Sequence, residues 1–270
     1  MSKNYGDRIV DCGKVSRPRR HFFSIRNPRS AIRNLLLFCA VVAAIWLALP
    51  KPPLLEGVSF SQCVRDRNGK VLRVTLTADQ KYRVWTSLPN ISPALIGATL
   101  QFEDKYYRYH PGVNPVALMR AAIDLRIGGA HSGASTITMQ VARLRYHLPT
   151  RTFRGKFVQI VRALELERHY SKSQILEAYL NLAPYGRNIE GVGAASQIYF
   201  GKTAAHLTRP ESISLCVIPQ SPTRRALFAD RGNRSLESAL SGWYDRAKVD
   251  DQFSGRSFSA RAQADRKSVV

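Results

Sequence analysis

Acidic residues are scarce in this chain: 19 Asp and Glu stand against 41 Lys and Arg, a formal net charge of +22. An imbalance of that size points to an anionic partner, whether nucleic acid, phospholipid headgroups or a phosphorylated substrate. Cysteine is scarce too, with 4 in 270 residues. Cys12, Cys39, Cys63 and Cys216 form no CxxC pair and no metal-ligand spacing, so neither a disulfide framework nor a zinc module is implied. A single Cys63–Cys216 bridge is left open. There is no HExxH, no internal repeat and no nucleic-acid recognition motif, and no nucleic-acid partner is expected despite the charge. What is present in quantity is apolar: a hydrophobic content of 44% over 270 residues excludes disorder throughout and suffices for one full-sized core with appendages.

Only one stretch is long, apolar and uncharged: LLLFCAVVAAIWLAL, Leu35 to Leu49. Lys14, Arg17, Arg19, Arg20, Arg26, Arg29 and Arg33 precede it, the pattern of a signal anchor whose basic flank stays in the cytoplasm. The stretch is short against the roughly 20 residues of a spanning helix. No small-x-small site follows Leu49, where the chain reads PKPPLLEG, so retention is expected over cleavage. The chain then divides into a basic cytoplasmic tail (1–34), a transmembrane anchor and stalk (35–55), a small β-hairpin linker (56–90), a helical domain (91–229) and a polar tail (230–270) that loses apolar periodicity and is expected to be a helical remnant followed by a disordered stretch.

Within the linker, SFSQCVRDRNGKVLRVTL predicts two strands about a turn at Asn68 and Gly69. Helical patterning begins at Ser92 and Pro93, an N-cap and first helical residue followed by Leu95, Ile96, Thr99, Leu100 and Phe102. Asn114 and Pro115 open another helix, and Ser171 with Gln174 and Thr208 with Glu211 have the capping-box spacing. The stretch GGAHSGAS, Gly128 to Ser135, predicts a flexible loop able to bring backbone N–H groups to a ligand. Glu103 in FEDKYYRYHPG falls at a helix C-terminus, where the negative dipole end and aromatic neighbours disfavour the ionised form. A carboxylate so placed can hold or take a proton near neutral pH. The plainer alternative is an exposed acid paired with Lys105 or Arg108.

Four blocks follow in order: FEDKYYRYHPG, GASTITMQVARLR, RGKFVQIVRALELE and SKSQILEAYLNLAPYGRNIEGVGAASQIYFGK. Together they resemble glycosyltransferase family 51, the peptidoglycan glycosyltransferase module of class A penicillin-binding proteins and of free-standing enzymes, with wording nearest the 1C branch. The resemblance spans about Val58 to Leu227 and implies a mainly α, lysozyme-like helical domain. It assigns the general base to Glu103, with Asp104 and Gln159 as auxiliary positions. Substrate or pyrophosphate contacts are implied for His110, Ser135, Thr136, Gln140, Arg143, Lys156, Glu177, Tyr179 and Asn181. Of these, His110 is expected to orient the Glu103 loop, and Glu177 and Asn181 to line or support the pocket. His131 is expected to be an ordinary loop residue. Departures are Tyr107 for phenylalanine, Met139 for a glutamine, Arg143 for a lysine, Gly155 for an arginine and Gln159 for a second glutamate. Glu165 and Glu167 lie on other helical positions and are not expected to replace it. Neither SxxK nor KTG occurs, so only the polymerase module is expected.

The reaction implied is inverting polymerisation of lipid II. A sugar hydroxyl needs a base to attack, whereas a pyrophosphate leaves as a stabilised anion and needs positive charge rather than an acid. Arg143 and Lys156, with Arg154 as a further candidate and hydroxyls from Ser135 and Thr136, are the residues to supply it. Mg2+ or another divalent cation is expected to share that charge, with no organic cofactor, although Gln159 argues against a protein-held metal site. Expected partners are lipid II, nascent glycan chains, membrane lipids and other cell wall synthesis proteins, with the catalytic domain on the periplasmic side of a bacterial inner membrane. Two other readings stay open: a catalytically silent lipid II-binding scaffold and a lysozyme-like lytic enzyme.

Overall fold

The structure is a computed structural model that describes residues 28–68, 71–127, 135–150, 152–227 and 233–249. His131, and all of the Gly128–Ser135 loop but Ser135, lie outside the described residues. Residues up to Pro50 form one unit and those from Lys51 a second. In the first, helix α1 runs Pro28–Ala48 and so begins well before Leu35. Its 21 residues reach about 31 Å at roughly 1.5 Å each, which matches a bilayer's hydrocarbon core. The stretch Ser30–Ala48 has a mean hydropathy of 2.1 and buries nothing within the protein. The shortfall read from the uncharged run is thus made up at the N-terminal end, where Arg29 and Arg33 can snorkel.

The second unit opens with the expected hairpin, β1 (Cys63–Arg65) antiparallel to β2 (Val71–Val74). Gly69 of its turn lies outside the described residues. Past the hairpin the chain is stitched to the helical domain. Arg83, only 5% exposed, donates from Nη2 to Asp79 (2.9 Å), from Nε to Glu190 (3.1 Å) and from Nη1 to the Ser59 carbonyl (2.7 Å). Hydrogen bonds from Arg83 and Thr77 hold the Asp79 carboxyl well below the usual carboxylate range. Cys63 and Cys216 are both free thiols.

The domain proper has helices α2 (Pro93–Glu103), α3 (Pro115–Ile127), α4 (Ile137–Arg145), α5 (Phe153–His169) and α6 (Lys172–Leu182). A short antiparallel pair, β3 (Pro184–Gly186) and β4 (Ile189–Glu190), precedes α7 (Val192–Phe200) and α8 (Arg209–Val217). Last come α9 (Pro222–Arg225) and α10 (Arg234–Val249). Local chemistry sets most starts: Asn114 Oδ1 accepts from the Ala117 N–H, and both predicted capping boxes form. Leu95, Ile137, Leu166, Ile175, Leu180 and Leu215 are fully buried in one core, each contributing about 1.5–3 kcal/mol. The helical remnant expected at the head of the polar tail is α10, whose Leu236, Ala239 and Trp243 enter that core. The spacing is helical, but Ser and Gly between these residues thin the stripe below what the sequence pattern reveals.

Candidate active site

Helix α2 ends on Glu103 because Asp104 leaves the helical region while its N–H still donates to Leu100. The Asp104 carboxylate accepts from His110 Nε2 (2.9 and 3.0 Å) and from the Ile137 N–H (3.0 Å), pulling the start of α4 against the end of α2. Thr136 caps α4 by accepting from Met139 and donates to the Gly112 carbonyl (2.5 Å). Gly112 sits at φ +83°, and a Cβ there would lie 2.6 Å from Glu167 Cγ, so the loop closes only on glycine. The consequence is that Gln140, one turn into α4, donates from Nε2 to Glu103 Oε2 at 2.6 Å. Glu103 Oε1 is buried and has no protein partner. Burial raises the proton affinity of Glu103, against the opposing hydrogen bonds of Gln140 and Gln220 and the charges of Arg143 and Arg225. Tyr179 is fully buried beside it: burial first, then the Glu103 charge, pushes its phenol well up. A half-buried carboxylate held by the Gln140 amide thus replaces the exposed helix-end acid.

The cations gather on α4 and α5. Lys156 Nζ donates to Ser135 Oγ (2.7 Å), and burial, then the Arg143 charge, lowers its proton affinity. Arg143 is felt by both Glu103 and Lys156, so base and cation pair belong to one site. Gly155 has a packing reason to stand where the family resemblance leads one to expect arginine: a Cβ would lie 1.8 Å from the Pro149 carbonyl oxygen. Arg154 is exposed. Gln159, 2% exposed, donates from Nε2 to the Met139 carbonyl (2.6 Å) and leaves Oε1 without a partner. Glu165 pairs with Arg162 (2.6 Å), and Glu167 with Lys172 (2.7 Å) and Thr138 (2.6 Å), so neither stands in for it.

The structure therefore brings together Glu103, Gln140, Arg143, Lys156, Ser135 and Tyr179. Asp104, His110 and Thr136 build the corner that carries them. Glu177 and Asn181 are spent elsewhere: Glu177 Oε2 accepts from the Leu88 N–H (2.6 Å), and the Asn181 amide pairs with both backbone groups of Thr86 (2.9 and 2.8 Å). Sequence reasoning missed Gln220 and Arg225, which lie in IPQSPTRR, a proline-flanked turn with no periodicity to mark it. Among the described residues no three His, Cys, Asp or Glu side chains converge as metal ligands. Two neighbouring cations and a buried neutral Gln159 do not fit a protein-held divalent cation. A separate groove of about 550 Å³, lined among others by Trp85, Asn90, Gln197 and His206, shares none of the site residues.

The transglycosylase family model matches residues 68–241. Penicillin-binding protein 1C of Escherichia coli is 41% identical over 222 residues, covering 81% of this chain and 28% of that protein. Penicillin-binding protein 1A of Escherichia coli is 38% identical over 176 residues, 64% of this chain and 21% of that one. Penicillin-binding protein 1A of Aquifex aeolicus is 35% identical over 194 residues, 71% of this chain and 26% of that one. The chain thus spans between 21% and 28% of the length of these relatives. Among solved structures, penicillin-binding protein 1A from Haemophilus influenzae is similar at TM-score 0.38 and 17% identity, over 74% of this chain and 20% of that one.

Proposed function

The chain belongs to the transglycosylase family, and from that premise we propose that it is a peptidoglycan glycosyltransferase of cell wall synthesis. It polymerises lipid II into linear glycan strands by inverting transfer and releases undecaprenyl pyrophosphate. The observation that carries this reading is Glu103: a helix-end carboxylate with raised proton affinity, in one site with Arg143 and Lys156.

In the proposed step the 4-hydroxyl of one lipid II sugar attacks the anomeric carbon of another chain end. Its proton passes to Glu103, whose Oε2 is steadied by Gln140. The bond from the anomeric carbon to the pyrophosphate oxygen breaks, and the departing anion is received by Arg143 and Lys156, with Ser135 beside Lys156. Lys156 gains from this: an arriving anion offsets the burial and the neighbouring charge that depress its proton affinity. The neutralising charge is the protein's own cation pair, and a divalent cation, if bound, would be held by the pyrophosphate oxygens rather than by a protein cage.

Surface chemistry supports a lipid-linked substrate. Val116 (72% exposed), Met119 (66%) and Ile123 (53%) lie on one side of α3, and Phe153 (87%) and Phe157 (67%) on α5, the helix that carries Lys156. Apolar residues at this exposure suit contact with acyl chains or a polyprenyl tail, and the +22 charge suits anionic headgroups. We place the chain in the bacterial inner membrane with α1 as its single span, its basic flank in the cytoplasm and its catalytic domain in the periplasm. The test is incubation of the full chain in detergent with labelled lipid II. Growing glycan chains support the reading, cleavage of preformed glycan indicates a lytic enzyme, and bound but unchanged lipid II indicates a scaffold.

A further inference from the structure

Building on the glycosyltransferase reading of Glu103, we propose that Tyr107, Glu167 and Lys172 form a clamp that fixes the loop after the catalytic base against α4 and so positions the Glu103 carboxylate on Gln140. The base and its amide stand on helices with different main partners: α2 packs chiefly on α8, and α4 on α5 and α6. The backbone bonds of the loop are short-range, from Tyr107 to Asp104 (3.0 Å), Tyr109 to Tyr106 (2.9 Å) and Gly112 to His110 (3.0 Å). Such bonds shape the loop without setting where it lies against α4, so side chains must do that. Asp104 and Thr136 supply two fastenings, to the Ile137 N–H and the Gly112 carbonyl. Lys172, the first residue of α6, supplies more: its Nζ donates to the His110 carbonyl (2.7 Å) and to Glu167 Oε1 (2.7 Å), and lies 4.5 Å from the centre of the Tyr107 ring. Glu167 Oε1 accepts a second bond, from Thr138 Oγ1 on α4 (2.6 Å), and the Tyr107 hydroxyl donates to the Lys172 carbonyl (2.8 Å). The bonds close a circuit from α4 through α5 and α6 to the loop and, by His110 and Asp104, back to α4.

Charge separates Lys172 from the cations assigned to the leaving group. It is matched by Glu167, whose side chain is only 10% exposed, whereas Lys156 faces a second cation, Arg143. A matched pair has no net charge to offer a departing anion, and its charge-assisted bonds are the strong kind that hold geometry. Glu167 also backs the loop sterically, since a Cβ at Gly112 would lie 2.6 Å from its Cγ. Tyr107 ties the clamp to this chain in particular. The family resemblance leads one to expect phenylalanine there, which would fill the same buried place, 2% exposed, without a hydroxyl for the Lys172 carbonyl. Tyr107, Glu167 and Lys172 act on the base through the loop and are positioning residues.

The test uses the full chain in detergent with Tyr107→Phe, Glu167→Met, Lys172→Met and Lys172→Arg. Lipid II turnover is resolved into kcat and KM, in the parent and in the Glu103→Gln background. A misplaced base slows the chemical step and leaves substrate binding alone, so kcat should fall roughly ten- to a hundredfold in Glu167→Met and Lys172→Met while KM stays within about twofold. Tyr107→Phe loses one bond of the clamp and should cost about threefold, and Lys172→Arg, which keeps charge and donors, should recover most of the Lys172→Met loss. In Glu103→Gln there is no base left to position, and Lys172→Met should cost nothing further. A 13C NMR titration of the Glu103 carboxyl, its signal assigned by loss in Glu103→Gln, reads the clamp without turnover. The Gln140 bond favours the charged form, so loosening it moves the midpoint upward, by on the order of half a pH unit in Lys172→Met. Tyr107→Phe changes no charge near pH 7 and should move it the same way. If the methionine variants do not fold, Tyr107→Phe carries the test alone. A raised KM with kcat unchanged, equal losses with and without Glu103, or an unmoved midpoint would overturn the clamp. A parent chain inactive on lipid II overturns the glycosyltransferase reading instead, and the NMR midpoint then decides for or against the clamp.

Discussion

Glu103 occupies a place where its charge is costly to the fold, which is what makes it serviceable as a base. Burial lifts its proton affinity above the ordinary value of 4.5. The folded chain thus holds that proton more tightly than the unfolded one. Stability from this group is full below about the ordinary value and is lost as pH rises through the raised one. Glu103→Gln carries no charge and escapes the loss. Its melting temperature should equal or exceed the parent's at neutral pH, with the gap closing as the pH is lowered towards the ordinary value. A variant that melts lower at neutral pH would mean that the carboxylate is a structural anchor. Gln159 is the opposite case, a neutral side chain, nearly inaccessible, that ties α5 to α4 through the Met139 carbonyl. Gln159→Glu replaces a donor by an acceptor or a buried charge, so urea unfolding should show a loss of about 1–3 kcal/mol. Its rate on lipid II should not exceed the parent's. A gain would mean that a carboxylate there takes part in chemistry. The family resemblance could mark residue 159 as a departure, but its burial follows from contacts that no single block contains.

At the scale of elements, locally encoded features were legible and distant pairings were not. The starts of α3, α6 and α8 could be read because a cap and the residues it serves lie within four positions of one another, and that of α2 because Pro93 opens it, although the Ser92 hydroxyl donates to the Leu207 carbonyl instead of capping. The segment after the β1–β2 hairpin read as a linker because its fastenings are far away in sequence: Arg83 on Glu190, Thr86 on Asn181, Leu88 on Glu177. Those same pairings draw Glu177 and Asn181 out of the substrate list. Arg83→Met should therefore cost roughly 1.5–3 kcal/mol in urea unfolding, since it frees the segment and leaves Glu190 to Lys81 alone. The effect has a defined pH dependence. Asp79 is held below its ordinary value of 3.8, so its share of the stability is present above that value and is lost as pH falls below it. The difference between parent and Arg83→Met should thus narrow in acid, and a constant difference would remove Asp79 from the account. Helix α10 was legible only as a remnant for another reason: its buried face is built from Leu236, Ala239 and Trp243 with serines and a glycine between them.

For the whole molecule, one helix long and apolar enough to cross a membrane precedes a domain whose α3 and α5 expose apolar side chains. Full-length protein should remain in the membrane fraction after high-salt and carbonate washes, with residues near Gly57 open to protease only from the periplasmic side. A soluble product lacking residues 28–48 would make that helix a cleaved signal. Much of the site was visible beforehand, because Glu103, Gln140, Arg143 and Lys156 sit inside ordered motifs. Gln220 and Arg225 were not, since a turn without periodicity reveals its partner only when the chain has folded. The most direct measurement is lipid II turnover by the full chain beside Glu103→Gln, with lipid II binding measured in parallel. The account predicts glycan chains from the parent, at least about a hundredfold less from the variant, and similar binding by both. Equal turnover by parent and variant would contradict it.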